Sequence, residues 1–138
     1  MQRNCFEMIT EEKIDYWVEL SDYDLETADA MLQTKRYLYV GFMCHQTIEK
    51  IFKAVYSKII EDTPPFVHKL VLIAQQGNFY EQFSEEQKDF IDQMEPLNIK
   101  TRYPSDKNEL TRRLNHEKCV EILDKTKDLQ QWIKEKLL

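Results

Sequence analysis

The sequence contains very little glycine and proline, with two glycines and four prolines among 138 residues. An all-β domain of this length would need many tight turns and would normally use more of both residues. With only two glycines, neither a Walker nor a Rossmann phosphate loop can form, and we expect no cofactor. Charged residues make up 32% of the chain, and so many charges with so few breakers favour a few long amphipathic helices.

Cysteine is also scarce, and its three copies are Cys5, Cys44 and Cys119. The odd number and the lack of a Cys-x-x-Cys pair argue against a disulfide framework and against a zinc site. None of the three histidines stands four residues from another histidine or from a cysteine, so we predict no metal site. We interpret Cys44 and Cys119 as reduced core thiols of a cytoplasmic protein.

Long uncharged segments are missing as well. No segment approaches the roughly 18 to 20 apolar residues that a membrane span needs, and the N-terminus has no apolar run typical of a signal peptide. We therefore expect a soluble, cytoplasmic protein with no membrane contact. The net charge of −6 argues against a protein that coats nucleic acid by bulk electrostatics.

Apolar periodicity predicts two long helices in the first half of the chain. Apolar residues recur at spacings of three and four along a first helix over about 11–34, which Thr10 is expected to cap. A second helix over about 37–60 is apolar on more than one face, which is typical of a central helix. Pro64 and Pro65 follow it and cannot continue it.

The second half of the chain predicts shorter helices. One covers about 67–76 and ends at Gly77 and Asn78. Ser84 and Gln87 form a capping-box pattern at the start of the next helix. We predict an irregular polar segment over 104–115, and a last helix that follows Asn115 as its cap. The result is one all-α domain over residues 1–138, an up-and-down bundle of four to five helices.

Several short motifs occur in an order that resembles a known family. Trp17 and the segment 24–28 come first, and Gln46-Thr47-Ile48-Glu49-Lys50 is similar to a Gln-x-x-Glu-Lys helix. His68-Lys69-Leu70 looks like a His-x-Leu helix start, and Arg102-Tyr103-Pro104 resembles an Arg-Tyr-Pro segment. Together, over roughly residues 14–135, these motifs resemble the small HEPN domains of bacteria and archaea.

The resemblance implies a helical bundle that often forms a homodimer. It implies roles in RNA cleavage or nucleotide-related interaction, often beside a small nucleotidyltransferase partner in toxin–antitoxin pairs. Ribonuclease members carry an arginine followed, after four to six residues, by a histidine. After Arg102 those positions hold Lys107, Asn108 and Glu109, and His116 follows Arg112 too closely to match. The missing histidine weighs against an enzyme of the family's ribonuclease type.

Four polar residues of the second helix are the first site candidates. Their spacing of three and four permits a network within the helix, with Glu49 bound to Lys53 and Gln46 bound to Lys50. Alternatively, they line a cleft between helices and face Arg102.

The remaining candidates each have two interpretations. His45 fits the core, and His68 either caps or orients the next helix or takes part in catalysis. Arg102 and Tyr103 either pack, with the arginine paired to Glu49, or bind a phosphate and stack on a base. The full set of candidate ligand-binding residues is Gln46, Glu49, Lys50, Lys53, His68, Arg102 and Tyr103.

Three functions therefore remain open at this point. The first is a dimeric module that binds a nucleotide, RNA or a partner protein. The second is a metal-independent ribonuclease toxin with a rearranged site, in which Arg102 holds the phosphate and His45 or His68 moves protons. The third is a purely structural homodimerisation domain.

Overall fold

A computed structural model describes the backbone of residues 9–99 and 104–138, and the side chains of 9–99 and 108–138. Its α-helices are α1 (Thr10–Gln33), α2 (Tyr37–Ile60), α3 (Leu70–Gln76), α4 (Glu85–Met94), α5 (Pro104–Arg113) and α6 (His116–Lys136). Turns of 3₁₀-helix occupy Tyr80–Gln82 and Glu95–Leu97. These ranges contain no strand, which confirms the all-α prediction. Within them, no helix is long and apolar enough to cross a membrane.

Helices α1, α2, α4 and α6 alternate in direction, as the up-and-down prediction requires. Helix α2 returns along α1, and Ser21 Oγ of α1 donates a hydrogen bond to the Thr47 carbonyl oxygen of α2 at 2.7 Å. Helix α6 runs parallel to α2. Cys119 Sγ lies 3.6 Å from the Tyr37 carbonyl oxygen at one end of this pair, and at the other end Lys58 Nζ donates to a carbonyl oxygen near the end of α6.

Helix α4 runs opposite to both α2 and α6. At its start, the Phe83 ring stacks on Phe52 of α2 with 5.4 Å between the centroids, and it lies 5.6 Å from Trp132 near the end of α6. Just beyond its end, Leu97 lies against Gly41 near the start of α2. Helices α3 and α5 connect these four.

Helix α2 is the centre of the core, as its apolar pattern predicts. Buried residues occur on all of its faces, and Ile48, Ile51 and Phe52 are fully buried. The rings of Phe52 and Phe79 meet edge to face at a centroid distance of 5.4 Å. Cys44 and Cys119 are both buried, as predicted. Burial of such apolar surface is the main favourable contribution to folding.

Two predicted helix starts are confirmed by their capping bonds. Ser84 Oγ accepts a bond from the Gln87 amide at 3.1 Å, and the Gln87 side chain accepts one from the Ser84 amide at 2.8 Å. Asn115 Oδ1 accepts from the Lys118 amide at 2.8 Å and so caps α6. The predicted cap at Thr10 is wrong, because α1 already includes Thr10 and no side chain caps it.

Helix α3 begins at Leu70, later than the predicted residue 67. Its first amides are bound by a side chain distant in sequence. Glu95 Oε1 accepts from the Leu70 amide at 2.8 Å, and Oε2 accepts from the Val71 amide at 3.4 Å. A carboxylate at this end also faces the positive end of the helix dipole. The chain leaves α3 through Asn78, whose φ of 60° lies in the left-handed region.

The segment 104–115 corrects the sequence analysis, because residues 104–113 form α5 instead of an irregular segment. Proline is favoured at the first position of a helix, where its missing N–H has no partner to lose. The later residues of α5 include good helix formers such as lysine, glutamate and arginine. The polar sequence did not predict this helix, because Leu110 is its only buried residue among 108–113.

Candidate functional site

Polar side chains form a cluster between α1, α2 and the loop that precedes α3. We call this the polar cluster, and its members are Trp17 and Asp24 of α1, Gln46, Glu49, Lys50 and Lys53 of α2, and His68 of the loop. It contains every candidate ligand-binding residue of the sequence analysis that lies within the described ranges. Arg102 and Tyr103 lie outside those ranges.

Glu49 is the centre of the polar cluster. Its side chain is only 2% exposed, and its carboxylate accepts a bond from Lys53 Nζ at 3.1 Å. His68 Nδ1 lies 3.2 Å from each of the two carboxylate oxygens. An ionised carboxylate only accepts hydrogen bonds, so Nδ1 carries the proton and donates it. In the neutral ring, Nε2 is then the acceptor.

His68 is the part of this arrangement that reaches solvent, with 57% of its side chain exposed. Its Nε2 has no hydrogen-bond partner among the described side chains and backbone. Of its two predicted structural roles, the cap of α3 is wrong, because Lys69 is the N-cap residue and makes no side-chain cap. Its role in orienting that helix stays a prediction. Glu49 instead fixes the orientation of the imidazole, as a carboxylate does for a metal-binding or catalytic histidine.

Lys53 is buried beside Glu49 and also faces α1. Its Nζ lies 5.3 Å from the centroid of the Trp17 ring, within the range of a cation–π interaction. The Trp17 Nε1 is buried, and the described residues offer it no hydrogen-bond acceptor. Lys53 is thus held by a carboxylate and an aromatic face, which together compensate its removal from water.

Lys50 joins the two long helices at the edge of the polar cluster. Its Nζ donates to Asp24 Oδ2 at 3.2 Å and to Gln46 Oε1 at 2.9 Å. The predicted pairs Gln46–Lys50 and Glu49–Lys53 are therefore confirmed. Asp24 belongs to the site although its sequence pattern did not predict it. Because both lysines are paired to carboxylates, neither offers an uncompensated positive charge.

The other histidines lie away from the exposed edge of the polar cluster. His45 is 0% exposed, which confirms its predicted place in the core, and its Nδ1 lies 3.3 Å from Gln46 Nε2. His116 is exposed at the start of α6, where its Nδ1 is 3.3 Å from the Tyr37 hydroxyl. Phe66, two residues before His68, is 84% exposed.

A second polar network joins α1 to α6, and sequence spacing could not have found it. Gln130 Nε2 donates to Ser21 Oγ and to Asp22 Oδ1, each at 3.0 Å. Lys134 Nζ donates to the same Asp22 oxygen at 2.7 Å. These partners are more than a hundred residues apart in the chain.

The buried cysteines are unsuited to nucleophilic chemistry. Burial raises the pKa of the Cys44 thiol to about 12 and that of the Cys119 thiol to about 11. Both thiols are therefore protonated at neutral pH, whereas the thiolate is the reactive form. The described residues also hold no group of histidine, cysteine and acidic side chains arranged around a metal ion.

Comparison with curated proteins and with solved structures finds no match. A family model described as the HEPN domain matches residues 14–136, nearly the whole chain. HEPN domains are all-α helical, commonly dimerise and generally have nucleotide- or RNA-related roles. The helical fold described above agrees with that match, and the chain belongs to the HEPN domain family.

Proposed function

We propose that the chain is a nucleotide- or RNA-binding module of the HEPN family, and that its ligand binds at the exposed edge of the polar cluster. One observation carries this proposal. The imidazole of His68 is fixed by the buried Glu49 yet is 57% exposed, and the ring of Phe66 nearby in the loop is 84% exposed. An exposed aromatic ring can stack on an unpaired base, and a fixed imidazole can bind a phosphate or a base edge.

The other candidate residues have two roles in this proposal. Gln46, Lys50 and Lys53 support the site, because Lys50 joins α2 to α1 and Lys53 holds the Glu49 carboxylate that binds the loop through His68. Arg102 supplies the phosphate contact and Tyr103 stacks or donates its hydroxyl, since guanidinium groups bind phosphate oxygens in bidentate fashion.

The test is the fluorescence anisotropy of a labelled single-stranded RNA of twelve nucleotides, titrated with the purified protein. We expect Phe66→Ala to weaken binding by about 1–3 kcal/mol, the usual contribution of one stacked base. His68→Ala and Arg102→Ala should also weaken it. His116→Ala is the matched control, because it removes an exposed histidine outside the polar cluster. Equal affinity of all four variants would contradict the proposal, and so would failure to bind both the RNA and a labelled mononucleotide.

A metal-independent ribonuclease with a rearranged site is the second candidate. It is favoured by the Nδ1 of His68, which Glu49 fixes, and by the Nε2, which has no hydrogen-bond partner among the described residues, because a general base requires this arrangement. In this candidate, Nε2 accepts the proton of a ribose 2′-hydroxyl as its oxygen attacks the adjacent phosphorus and the bond to the 5′-oxygen of the next nucleotide breaks. Arg102 stabilises the charge on the phosphate, and the leaving 5′-oxygen takes a proton from solvent. His45 cannot take this role, because it is completely buried.

Cleavage of the labelled RNA separates the two candidates. A ribonuclease should lose activity on His68→Ala and on Arg102→Ala, and should not cleave a substrate with 2′-deoxyribose at the cut position. The same background cleavage by the wild type and both variants would exclude it.

We further propose a homodimer, and a small nucleotidyltransferase as the partner protein in a toxin–antitoxin pair. Family membership supports the homodimer, since HEPN domains commonly dimerise, and α1 also exposes Tyr16 and Tyr23, which are seven residues apart and lie on one face. The partner is proposed only from the resemblance of the sequence motifs. Light scattering should give twice the chain mass of 16.7 kDa, and Tyr23→Glu should give the monomer. A dimer that binds neither RNA nor a nucleotidyltransferase would favour the alternative of a structural homodimerisation domain.

A further inference from the structure

A groove of about 420 Å³ lies between α4 and α6, on a different pair of helices from the polar cluster. Its floor is apolar and comprises the buried side chains of Phe90 and Leu129 and the partly buried Trp132. Its size is within the range of sites that hold a small ligand or a few side chains of a partner.

The rim of this groove is acidic. Glu86 and Asp89 of α4 and Asp128 of α6 line it, and none of these carboxylates has an ion pair or hydrogen bond among the described side chains. One cation is present, Lys125, but its Nζ is bound to Glu121 at 3.0 Å and lies 6.0 Å from the Phe90 centroid. Glu121 is shared with Lys118 Nζ at 3.6 Å and so balances only part of the Lys125 charge. The three rim carboxylates still outnumber the one lining cation among the described residues.

We propose that this groove binds a basic peptide segment of a partner protein, in which arginine or lysine flanks an apolar side chain. The apolar side chain fits the floor of Phe90 and Leu129, and the flanking cations meet the rim carboxylates and the face of Trp132. Charge complementarity selects this occupant, because the same carboxylates repel a nucleic-acid backbone. The groove thus gives the protein a second binding surface, separate from the proposed RNA site.

The experiment titrates the full chain against the labelled peptide Gly-Arg-Arg-Leu-Arg-Gly. Removal of one rim charge by Asp89→Asn or Asp128→Asn should weaken binding about fivefold. The control variants Glu19→Gln and Glu26→Gln remove the same charge from exposed positions of α1 and should leave binding unchanged. In NMR spectra, the indole resonance of Trp132 should shift on binding and that of Trp17 should not.

Three outcomes would overturn the proposal. The first is equal affinity of the rim and control variants. The second is unchanged affinity when the peptide's leucine becomes alanine, together with equally tight binding of spermine, which would show that the groove only attracts polycations. The third is self-association of the protein that Asp89→Asn and Asp128→Asn abolish, which would show that a second copy of the chain occupies the groove.

Discussion

Glu49 is the residue on which the polar cluster depends. Its buried carboxylate is shared by the ammonium of Lys53 and the imidazole of His68, so it both neutralises one side chain and orients the other. Removal of a charge from water costs several kcal/mol unless a partner compensates it. The free energy of unfolding should therefore respond strongly to the loss of one partner and weakly to the loss of both.

Lys53→Ala should lower the free energy of unfolding by about 3–5 kcal/mol, because it leaves the Glu49 carboxylate buried without its cation. The double variant Glu49→Leu with Lys53→Met keeps similar side-chain volumes without any charge. It should lower the free energy of unfolding clearly less. Urea unfolding measures both. If Lys53→Ala costs no more than Lys50→Ala, whose ion pair with Asp24 is more exposed, the buried pair does not have this role.

The thiols of Cys44 and Cys119 should be unreactive in the folded protein. Their raised pKa values keep them protonated, so a Cys5→Ser variant should react with a disulfide reagent at pH 8 only as fast as it unfolds. In the unfolded chain the same thiols ionise near pH 9. Their contribution to stability is therefore complete below pH 9 and is lost as the pH rises toward 12. Rapid labelling of either thiol under native conditions would contradict this.

At the scale of elements, the helix ends are decided by a few side-chain bonds. Asn115→Ala removes the cap of α6 and should lower the free energy of unfolding by about 1 kcal/mol. Asn115→Asp can still accept the capping bond and should retain most of the stability. Asn108→Ala, at an exposed position of α5, is the control and should have little effect. Thermal unfolding measures all three. Equal losses at Asn115 and Asn108 would argue against capping.

A helix or a side-chain bond can be predicted from the sequence when the residues in contact lie close together along the chain. Contacts within one or two helical turns leave a repeating pattern, and so α2, the Ser84 capping box and the Gln46–Lys50 pair were predictable. Contacts between elements leave no repeating pattern in the sequence. Glu95 caps α3 from 25 residues away, and Glu49 binds His68 across 19 residues, so neither bond could be predicted from spacing.

The sequence pattern did not predict helix α5 for a related reason. Its only buried side chain among 108–113 is Leu110, and one apolar residue cannot establish a period. Leu114, just beyond its end, is the other anchor, and a Cβ placed on Gly41 would lie only 3.1 Å from it. The absence of a side chain at Gly41 thus lets the end of α5 approach α2, which is a property of the packed pair and not of either segment.

At the scale of the whole molecule, the contact of α6 with α1 completes the bundle. Gln130→Ala removes the buried donor that links Ser21 and Asp22, and it should lower the free energy of unfolding by about 1–3 kcal/mol. Gln131→Ala is the matched control, since the Gln131 side chain is exposed and donates a hydrogen bond to Glu135 within α6. Denaturant titration compares the two variants. A similar small effect in both would show that the link between α1 and α6 does not contribute to stability.

The position of Gln130 against Ser21 also has a consequence for synthesis on the ribosome. The two residues are separated by 109 positions, which corresponds to roughly 5 to 20 seconds of translation. During that time, α1 and α2 can form a hairpin, but the face that receives α6 is still uncovered. Long-range contacts of this kind slow folding compared with a bundle of sequential neighbours. We therefore expect the nascent chain to need protection from aggregation until its last helix has emerged.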